Sequence, residues 1–392
     1  MGLWPVRPNP RLGRRFRRQS VHTLRGNRGT VAERQSLGVR TALQWMESAE
    51  HLGDKDKPHF WDNFWAIAGL WEAAQLAQRL NAPQKQELWS IYGQVRRATA
   101  DSIRWVLAQQ QQRGFWETII PTGPADVGRL DSTMIGTVAY FHPCRLYMGQ
   151  KLGSDVDSAA RLTLETIWAH FVDGGFRHEA AWRCYGPYLT LQLAHAFLLL
   201  GQIDRMDQCL SWTVGNAGFA RVHDASGDPN PWQVVQGAWN EQHNYAIAKD
   251  CASFPSGWWY MGDIPHGWAA AEFLLLLRDI LFFEADEDHD PQIFLALGVM
   301  PHWLASGEPI TVRDAPTLFG SSFGYELHHD PTAHKVTVTI TQQPKGPVRY
   351  LYPCRMGSAV RSAKVDGSPA IVADGIVLAP PGTSQIQVEY VP

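Results

Sequence analysis

The feature that most limits the fold is a long series of apolar residues at helical spacing, broken by short Gly-, Pro- and Asp-rich segments. In residues 83–111, for example, Leu88, Ile91 and Val95 fall on one helical face. Residues 186–201 leave so little polar surface that this helix should be buried. We predict helices over residues 31–51, 63–80, 83–111, 132–148, 155–171, 186–201, 203–213 and 266–284, and consider a further one over 231–249.

The composition changes after residues 284–288, where the helical spacing ends. Val336, Val338 and Ile340 alternate with threonines, and short runs of the same kind recur towards the C-terminus between Gly/Pro turns. This alternation predicts antiparallel strands, in a small β-sandwich. We therefore divide the chain into a basic, poorly ordered arm (1–28), a domain of helical hairpins (29–285), and a linker with a small β domain (286–392), in which 292–320 joins the two parts.

Trp, Asp, Glu, His and Gly concentrate in the loops between the predicted helices, over residues 57–62, 112–131, 172–188, 219–243 and 252–266. Paired helices with such loops recurring at one end indicate a mainly α fold, a toroid of helical hairpins whose rim forms a cleft. We expect most of the 17 Trp to pack in the core and a few to line the cleft, where indoles can stack on sugar rings. A clear repeat is absent, so a superhelical solenoid is not indicated.

Charge and cysteine content narrow the class of protein. The net charge of −3 offers no electrostatic case for nucleic acid or an anionic membrane as partner. The five cysteines are scattered and form no CxxC pair, which disfavours a zinc site or a disulfide framework and suits a reduced, cytoplasmic protein. No apolar run is long enough to span a membrane, and no apolar h-region follows the N-terminal arginines. The arm can also be read as the remainder of an upstream part of a longer protein.

One stretch carries the densest chemistry. Trp239 and Glu241 are followed by His243, and after a loop by His266 and Trp268. Glu241 is the best candidate for a general base, because neighbouring indoles would desolvate its carboxylate and raise its pKa. His266 either binds a substrate hydroxyl or caps the helix behind it. Motifs of zinc peptidases, serine hydrolases and nucleotide-binding loops are absent from the sequence.

Three further segments place polar groups beside aromatic residues. Asp62 follows Trp61, and either caps the next helix together with Asn63 or binds substrate. Asp126 and Asp131 lie five residues apart in a Gly/Pro loop, where Asp131 can cap a helix or both acids can face a cleft. The other groups of interest are Glu117, a third acid, and Arg177 and Tyr185, which sit in a glycine turn or bind substrate hydroxyls.

Taken in order, these motifs resemble the six-hairpin glycosidases with an (α/α)6 barrel, the broad group around glycoside hydrolase families 63, 15, 37 and 78. The resemblance spans roughly residues 57–320 and is carried by Trp61–Trp65, Pro124–Thr133, Trp239–Gln242 and His266–Glu272. A short C-terminal β domain is common in that group. The resemblance departs at Asn240, where relatives carry Pro, and at Arg129, where they carry Asp. We predict eight or nine helices, fewer than six complete hairpins require, so the barrel would be incomplete.

The resemblance implies hydrolysis of a glycosidic bond in an oligosaccharide, with inversion, by a general acid and a general base. Glu241 would be the base, and the acid would be Asp131 first, then Asp126 or Glu117. Substrate binding is assigned to Trp61, Asp62, Glu117, Arg177, Tyr185, Trp239, His266 and Trp268. No cofactor and no metal are expected, the partner is a carbohydrate, and the oligomeric state is open. The alternatives are a sugar epimerase or isomerase that uses His243 with His266, and a catalytically degenerate carbohydrate-binding protein.

Overall fold

The structure, a computed structural model, describes residues 58–115, 117–178, 184–217, 220–223, 232–235, 242–244, 260–261, 266–285 and 290–392. The chain divides into two compact units. Of the described residues, the first unit contains 58–140 and 144–167, and the second contains 141–143 and those from 168 onwards. A helical part is followed by largely antiparallel β-sheets, as the sequence predicts.

The described residues form six α-helices. They are α1 (Phe60–Arg79), α2 (Lys85–Gln112), α3 (Ser154–Phe171), α4 (Pro187–Leu199), α5 (Ile203–Ala217) and α6 (Gly267–Leu281). Each of them lies within a few residues of a predicted helix. The agreement arises because the apolar residues at helical spacing that predict a helix are also the residues through which the helix packs. The predicted helix over 31–51 lies outside the described residues.

The predicted helix over 132–148 is wrong. Its place is taken by a 3-10 helix, Ser132–Tyr140, followed by turns and a short 3-10 turn, Met148–Gln150. All nine residues of the first 3-10 helix are buried. Glycine and β-branched residues are frequent in this segment, and both are weak α-helix formers. Pro143 then interrupts the segment, since it has no N–H to donate.

The considered helix over 231–249 is also wrong in the described part of that range, which forms strands. The first six strands are β1 (Arg177–His178), β2 (Cys184–Tyr185), β3 (Ala220–His223), β4 (Trp232–Val235), β5 (Gln242–Asn244) and β6 (Tyr260–Met261). They form a four-stranded sheet of order β1-β2-β5-β6 and a β3–β4 hairpin, all antiparallel. Paired strands supply backbone hydrogen-bond partners that helical periodicity cannot anticipate.

The first unit is built on a helical hairpin of α1 and α2. Trp71 on α1 meets Trp89 and Tyr92 on α2, with ring centroids 5.2 Å and 5.4 Å apart. Arg104 on α2 donates from Nε to Asp155 at the start of α3, at 2.7 Å. Aromatic contacts and this ion pair therefore hold α1, α2 and α3 together.

The second unit has a helical part built around α4. Every residue of α4 except the last is buried, as predicted for residues 186–201. Helix α4 packs against α5, the next helix in sequence, and against α6. At Gly298 a Cβ atom would lie 2.7 Å from Leu198 Cδ1 and 3.0 Å from Ile280 Cγ1, so only glycine allows the chain to pass this closely. The predicted helix over 266–284 ends at Leu281, and Phe282 begins a strand.

Two sheets complete the second unit. The strands are β7 (Phe282–Ala285), β8 (Gln292–Leu295), β9 (Ile310–Pro316), β10 (Ser322–Asp330), β11 (Lys335–Gln342), β12 (Arg349–Pro353), β13 (Ala359–Val365), β14 (Ser368–Pro369), β15 (Ile371–Ala373), β16 (Ile376–Ala379) and β17 (Gln385–Val391). The six-stranded sheet has the order β14-β13-β17-β11-β10-β9, and the five-stranded sheet has the order β15-β16-β12-β8-β7, in which β8 and β12 run parallel.

The two sheets meet through aromatic side chains. Phe323 of β10 stacks on Tyr350 of β12, with ring centroids 6.0 Å apart. Residues 292–320, predicted as a connection, contribute β8 and β9 to the two sheets. No α-helix in the described ranges is long and apolar enough to cross a membrane.

Candidate functional site

The acid-bearing loop of the first unit is clamped by buried side chains. Gln110 of α2 donates from Nε2 to the Val127 carbonyl at 2.9 Å, and its Oε1 accepts from the Ile119 backbone N–H at 2.9 Å. Thr163 Oγ1 of α3 accepts from the Ile120 N–H at 2.8 Å. The Phe60 N–H donates to the Thr122 carbonyl at 2.9 Å. The backbone of the loop is therefore attached to all three of the α-helices described in this unit.

Asp126 and Asp131 are brought together by Arg129. Arg129 Nε contacts Asp131 Oδ2, and its Nη1 lies 3.8 Å from Asp126 Oδ1. Asp131 Oδ1 also accepts from the Thr133 backbone N–H at 2.9 Å and from the Thr133 hydroxyl. Asp131 therefore caps the start of the 3-10 helix, the structural role considered for it, and both of its oxygens are engaged.

A cavity of about 570 Å³ opens beside this loop. Its lining includes Trp105 of α2, Arg113, and the loop residues Pro124–Arg129. Asp126, whose side chain is 7% exposed, is the carboxylate among the lining residues. The volume of the cavity is typical of small-molecule binding sites. An acid, a guanidinium and an indole in one cavity can recognise a polar ring such as a sugar. Trp105 was not singled out in the sequence, because it lies inside a regular helix rather than in a loop.

Trp61, Asp62 and Glu117 have different surroundings. Helix α1 begins at Phe60, so Asp62 and Asn63 lie in its first turn and are not its N-cap. A carboxylate in this position is favoured by the helix dipole. Trp61 is buried, with its ring centroid 5.9 Å from that of Trp65, and so presents little face for stacking on a ligand. Glu117 is exposed on the loop.

Among the described residues, four predicted substrate-binding residues lie in the second unit. The Tyr185 hydroxyl donates to Asp173 at 3.0 Å, and its ring packs on Trp212. Burial, together with the hydrogen bond to Asp173 and its negative charge, raises the pKa of Tyr185 to about 12. The Arg177 guanidinium donates to the His170 carbonyl. Both side chains therefore have structural partners within this unit.

His266 and Trp268 pack together around Tyr188. The Tyr188 ring lies 5.3 Å from His266 and 4.9 Å from Trp268, measured between centroids. His266 occupies the N-cap position of α6, but its side chain makes no capping hydrogen bond. Trp268 Nε1 donates a hydrogen bond to Glu272 Oε1 at 3.1 Å and so orients the Glu272 carboxylate. Glu241 and Trp239 lie outside the described residues, and His243 lies in β5, where only the backbone is described.

Behind Trp268 lies a buried cluster of acids and histidines. His142 Nε2 is 2.9 Å from Glu272 Oε2, and His195 Nε2 is 2.9 Å from Asp279 Oδ2. The two imidazole rings stack, with centroids 3.5 Å apart and planes inclined at 20°. Gln192 Nε2 is 3.5 Å from Glu272 Oε1. Burial alone would raise the pKa of Glu272, but the hydrogen bond and charge of His142, aided by Trp268, hold that pKa below its ordinary value.

The sequence contained a signal for this cluster that the loop-centred reasoning missed. Gln192 and His195 lie three residues apart on α4, a mostly apolar helix that is buried in all but its last residue. Glu272 and Asp279 lie seven residues apart on α6, which places them on one helical face. Polar residues that share the buried face of a helix need partners, because unpaired polar groups are costly to bury.

Comparison with known proteins adds two distant structures. No protein-family model matches the chain, and no curated protein matches it. The crystal structure of Streptomyces avermitilis α-L-rhamnosidase complexed with L-rhamnose is similar with a TM-score of 0.44 and 12% identity, over 88% of this chain and 28% of that one. A structure described as a glycoside hydrolase gives a TM-score of 0.34 and 10% identity, over 93% and 69%. This chain thus spans little more than a quarter of the rhamnosidase. Both TM-scores lie below 0.5, so the activity has to be inferred from this chain's own residues.

Proposed function

We propose that this chain is a glycosidase that hydrolyses a glycosidic bond in an oligosaccharide. The observation that carries the proposal is the cavity of about 570 Å³ beside Asp126, Arg129 and Trp105. A buried carboxylate at the wall of a sugar-sized cavity is what a general acid requires, because it must reach the oxygen of the leaving group. The carbohydrate is the one partner that we propose.

The helical hairpins support the architecture implied by the resemblance. Helices α1 and α2 form a hairpin in the first unit, and α4 and α5 form one in the second. Hairpins are the repeating module of an (α/α)6 toroid, and we propose that this chain contributes part of one. The first loop after α2 carries the acids, which agrees with a functional rim.

We assign the general acid to Asp126 ahead of Asp131. Asp131 accepts hydrogen bonds from Thr133 and is paired with Arg129, so its oxygens organise the loop. Asp126 lines the cavity with a buried carboxylate. Glu241 remains the proposed general base. In an inverting reaction, Asp126 would protonate the leaving oxygen while Glu241 accepts a proton from the attacking water.

The test is hydrolysis of a panel of aryl glycosides and oligosaccharides by the purified chain. Release of reducing sugar by wild type, with a loss of at least about 100-fold in Glu241→Gln, is expected for removal of a general base. Proton NMR identifies the anomer of the sugar that is released first. Its anomeric configuration should be opposite to that of the substrate. Activity that survives Glu241→Gln would reject that residue as the base. Sugar binding without turnover, measured by calorimetry, would instead identify a catalytically degenerate binding protein.

A further inference from the structure

We propose that the cavity beside Asp126 takes an acidic sugar, a uronic acid residue whose carboxylate is bound by Arg113. This inference rests on the proposed function, because it names the class of substrate for the same cavity. The described residues of the lining carry two guanidinium groups, on Arg113 and Arg129, and one carboxylate, on Asp126. A concave site with more cationic than anionic side chains favours an anionic ligand.

The charge of Arg129 is used within the loop. Its Nε contacts Asp131 Oδ2, and its Nη1 lies 3.8 Å from Asp126 Oδ1. Arg129 therefore compensates the two acids of the loop and is not the group that binds a further anion. In the role proposed for it, Asp126 carries a proton until the leaving oxygen takes it, so the Asp126 side chain does not repel an anionic sugar as it binds.

Arg113 is the second guanidinium of the cavity, and its side chain has no hydrogen-bond or ion-pair partner among the described residues. It is the C-cap residue of α2, and its backbone N–H donates to the Gln109 carbonyl at 3.1 Å. The backbone of Arg113 is therefore fixed by the helix, while its side chain is exposed. A guanidinium offers N–H donors in a planar fork that matches the two oxygens of a carboxylate.

Val127 adds a donor from the backbone of the loop. The residue is 5% exposed and its carbonyl accepts from Gln110, but its N–H has no acceptor in the part of the chain that the structure describes. The Asp126 N–H, by contrast, donates to the Gly123 carbonyl at 3.1 Å. A buried N–H without an acceptor is rare in folded proteins. An oxygen atom of a bound sugar would supply the acceptor.

Trp105 supplies an apolar surface in the same cavity. It lies on α2, eight residues before Arg113, and its side chain is partly exposed. An indole packs against the C–H groups of a sugar ring, whereas the carboxylate of a uronic acid projects from the edge of that ring. Apolar walls with a few polar groups are typical of small-molecule sites, in which the polar groups provide specificity. Arg113 would thus distinguish an acidic sugar from a neutral one with the same ring.

The experiment is calorimetry on the full chain with methyl glycosides that differ only at C6. Both anomers of methyl glucuronate and methyl galacturonate are compared with the corresponding methyl glucosides and galactosides. At least one uronate should bind about 10-fold or more tightly than its neutral counterpart at low salt, and added salt should reduce this preference. The methyl ester of that uronate has no charge and should bind as the neutral sugar does. The 6-sulfated glycoside, which is anionic but not planar, should bind more weakly than the uronate.

Two substitutions of Arg113 test its role. Arg113→Gln should lower the affinity for the uronate by about 10- to 100-fold and leave the affinity for the neutral sugar unchanged. Arg113→Lys keeps the charge but loses the planar fork, so its affinity should fall between the two. The matched control is Arg97→Gln, because Arg97 is exposed on the same helix and is not among the described lining residues. A cation at the end of α2 is also favoured by the helix dipole, so the thermal midpoint of each variant is recorded to establish that it is folded.

The proposal is overturned if wild type binds each neutral sugar as tightly as its uronate, or binds none of these sugars. Tighter binding of the sulfate ester than of the uronate, or a preference for uronate that survives Arg113→Gln, would also overturn it. Calorimetry does not depend on turnover, so this outcome is distinct from that of the hydrolysis test. Hydrolysis of neutral glycosides without any preference for uronates would support the proposed function and reject this inference. Uronate binding through Arg113 without hydrolysis would support this inference and reject the proposed function.

Discussion

His195 Nε2 lies 2.9 Å from Asp279 Oδ2, although the two residues are 84 positions apart in sequence and both are buried. The pair joins α4 to α6 by a hydrogen bond between buried side chains. Buried polar groups need such partners, because burying a polar group without one has a large free-energy cost. Arg278 contacts the same carboxylate and also Glu284 at the start of the β-sheets. The helical and β parts of the second unit are therefore linked by one charged network.

Asp279→Ala should destabilise the protein by about 3–5 kcal/mol, because it leaves the buried His195 without its carboxylate partner and removes one of the two carboxylates that contact Arg278. Chemical unfolding measures this as a lowered denaturant midpoint. Asp207→Ala removes a partly exposed pair with His302 and should change stability by less than about 1 kcal/mol. Equal effects of the two substitutions would show that the Asp279 network does not stabilise the fold.

Gly298→Ala should cost about 1–3 kcal/mol, because its Cβ would press on Leu198 at 2.7 Å and Ile280 at 3.0 Å. Gly215→Ala is the matched substitution, since a Cβ there meets nothing within 4 Å and the residue lies in α5. It should stabilise the protein by up to about 1 kcal/mol through higher helix propensity. Thermal unfolding of both variants tests the pair, and a stabilising Gly298→Ala would contradict the packing described for this site.

Asp126→Asn should lower hydrolysis of an unactivated glycoside by about 100- to 10,000-fold, as expected for loss of a general acid. Glycosides with a strongly acidic phenol as leaving group need little protonation, so on these the variant should retain most of its activity. Asp131→Asn should disturb the loop, and should therefore lower the rate of hydrolysis of both substrates alike. Hydrolysis rates of both variants on the two substrates test this. If Asp131→Asn, and not Asp126→Asn, spares the activated glycoside, the role of general acid would belong to Asp131.

Cys144 and Cys209 should resist alkylation of the native protein at pH 8. Burial raises the pKa of Cys209 to about 12 and raises the pKa of Cys144 as well, so little of the reactive thiolate is present. After denaturation both should react, since an unfolded thiol has a pKa of about 8.5. Peptide mass spectrometry after a timed iodoacetamide reaction identifies the modified sites. Rapid native labelling of Cys209 would show that α5 opens or packs differently.

Several elements of the fold could be predicted from the local pattern of apolar residues in the sequence. Helices α1 and α2 lie within three residues of their predicted bounds, and the alternation of Val336, Val338 and Ile340 gives β11 its buried face. The 3-10 helix Ser132–Tyr140 and strand β4 did not follow, because apolar spacing alone does not decide whether a short segment forms i→i+3 turns or pairs with a neighbouring strand. The acid-bearing loop was recognisable, but its clamp by Gln110 and Thr163 was not.

The sequence by itself determined where helices give way to strands and which loop holds Asp126 and Asp131, because side-chain periodicity and turn residues act locally. Only the tertiary structure decided how those groups are used. Arg129 engages Asp131 while Asp126 lines a cavity, and His142 meets Glu272 across 130 positions. Such pairings arise from the packing of whole helices, which sets the distances between side chains that are remote in sequence.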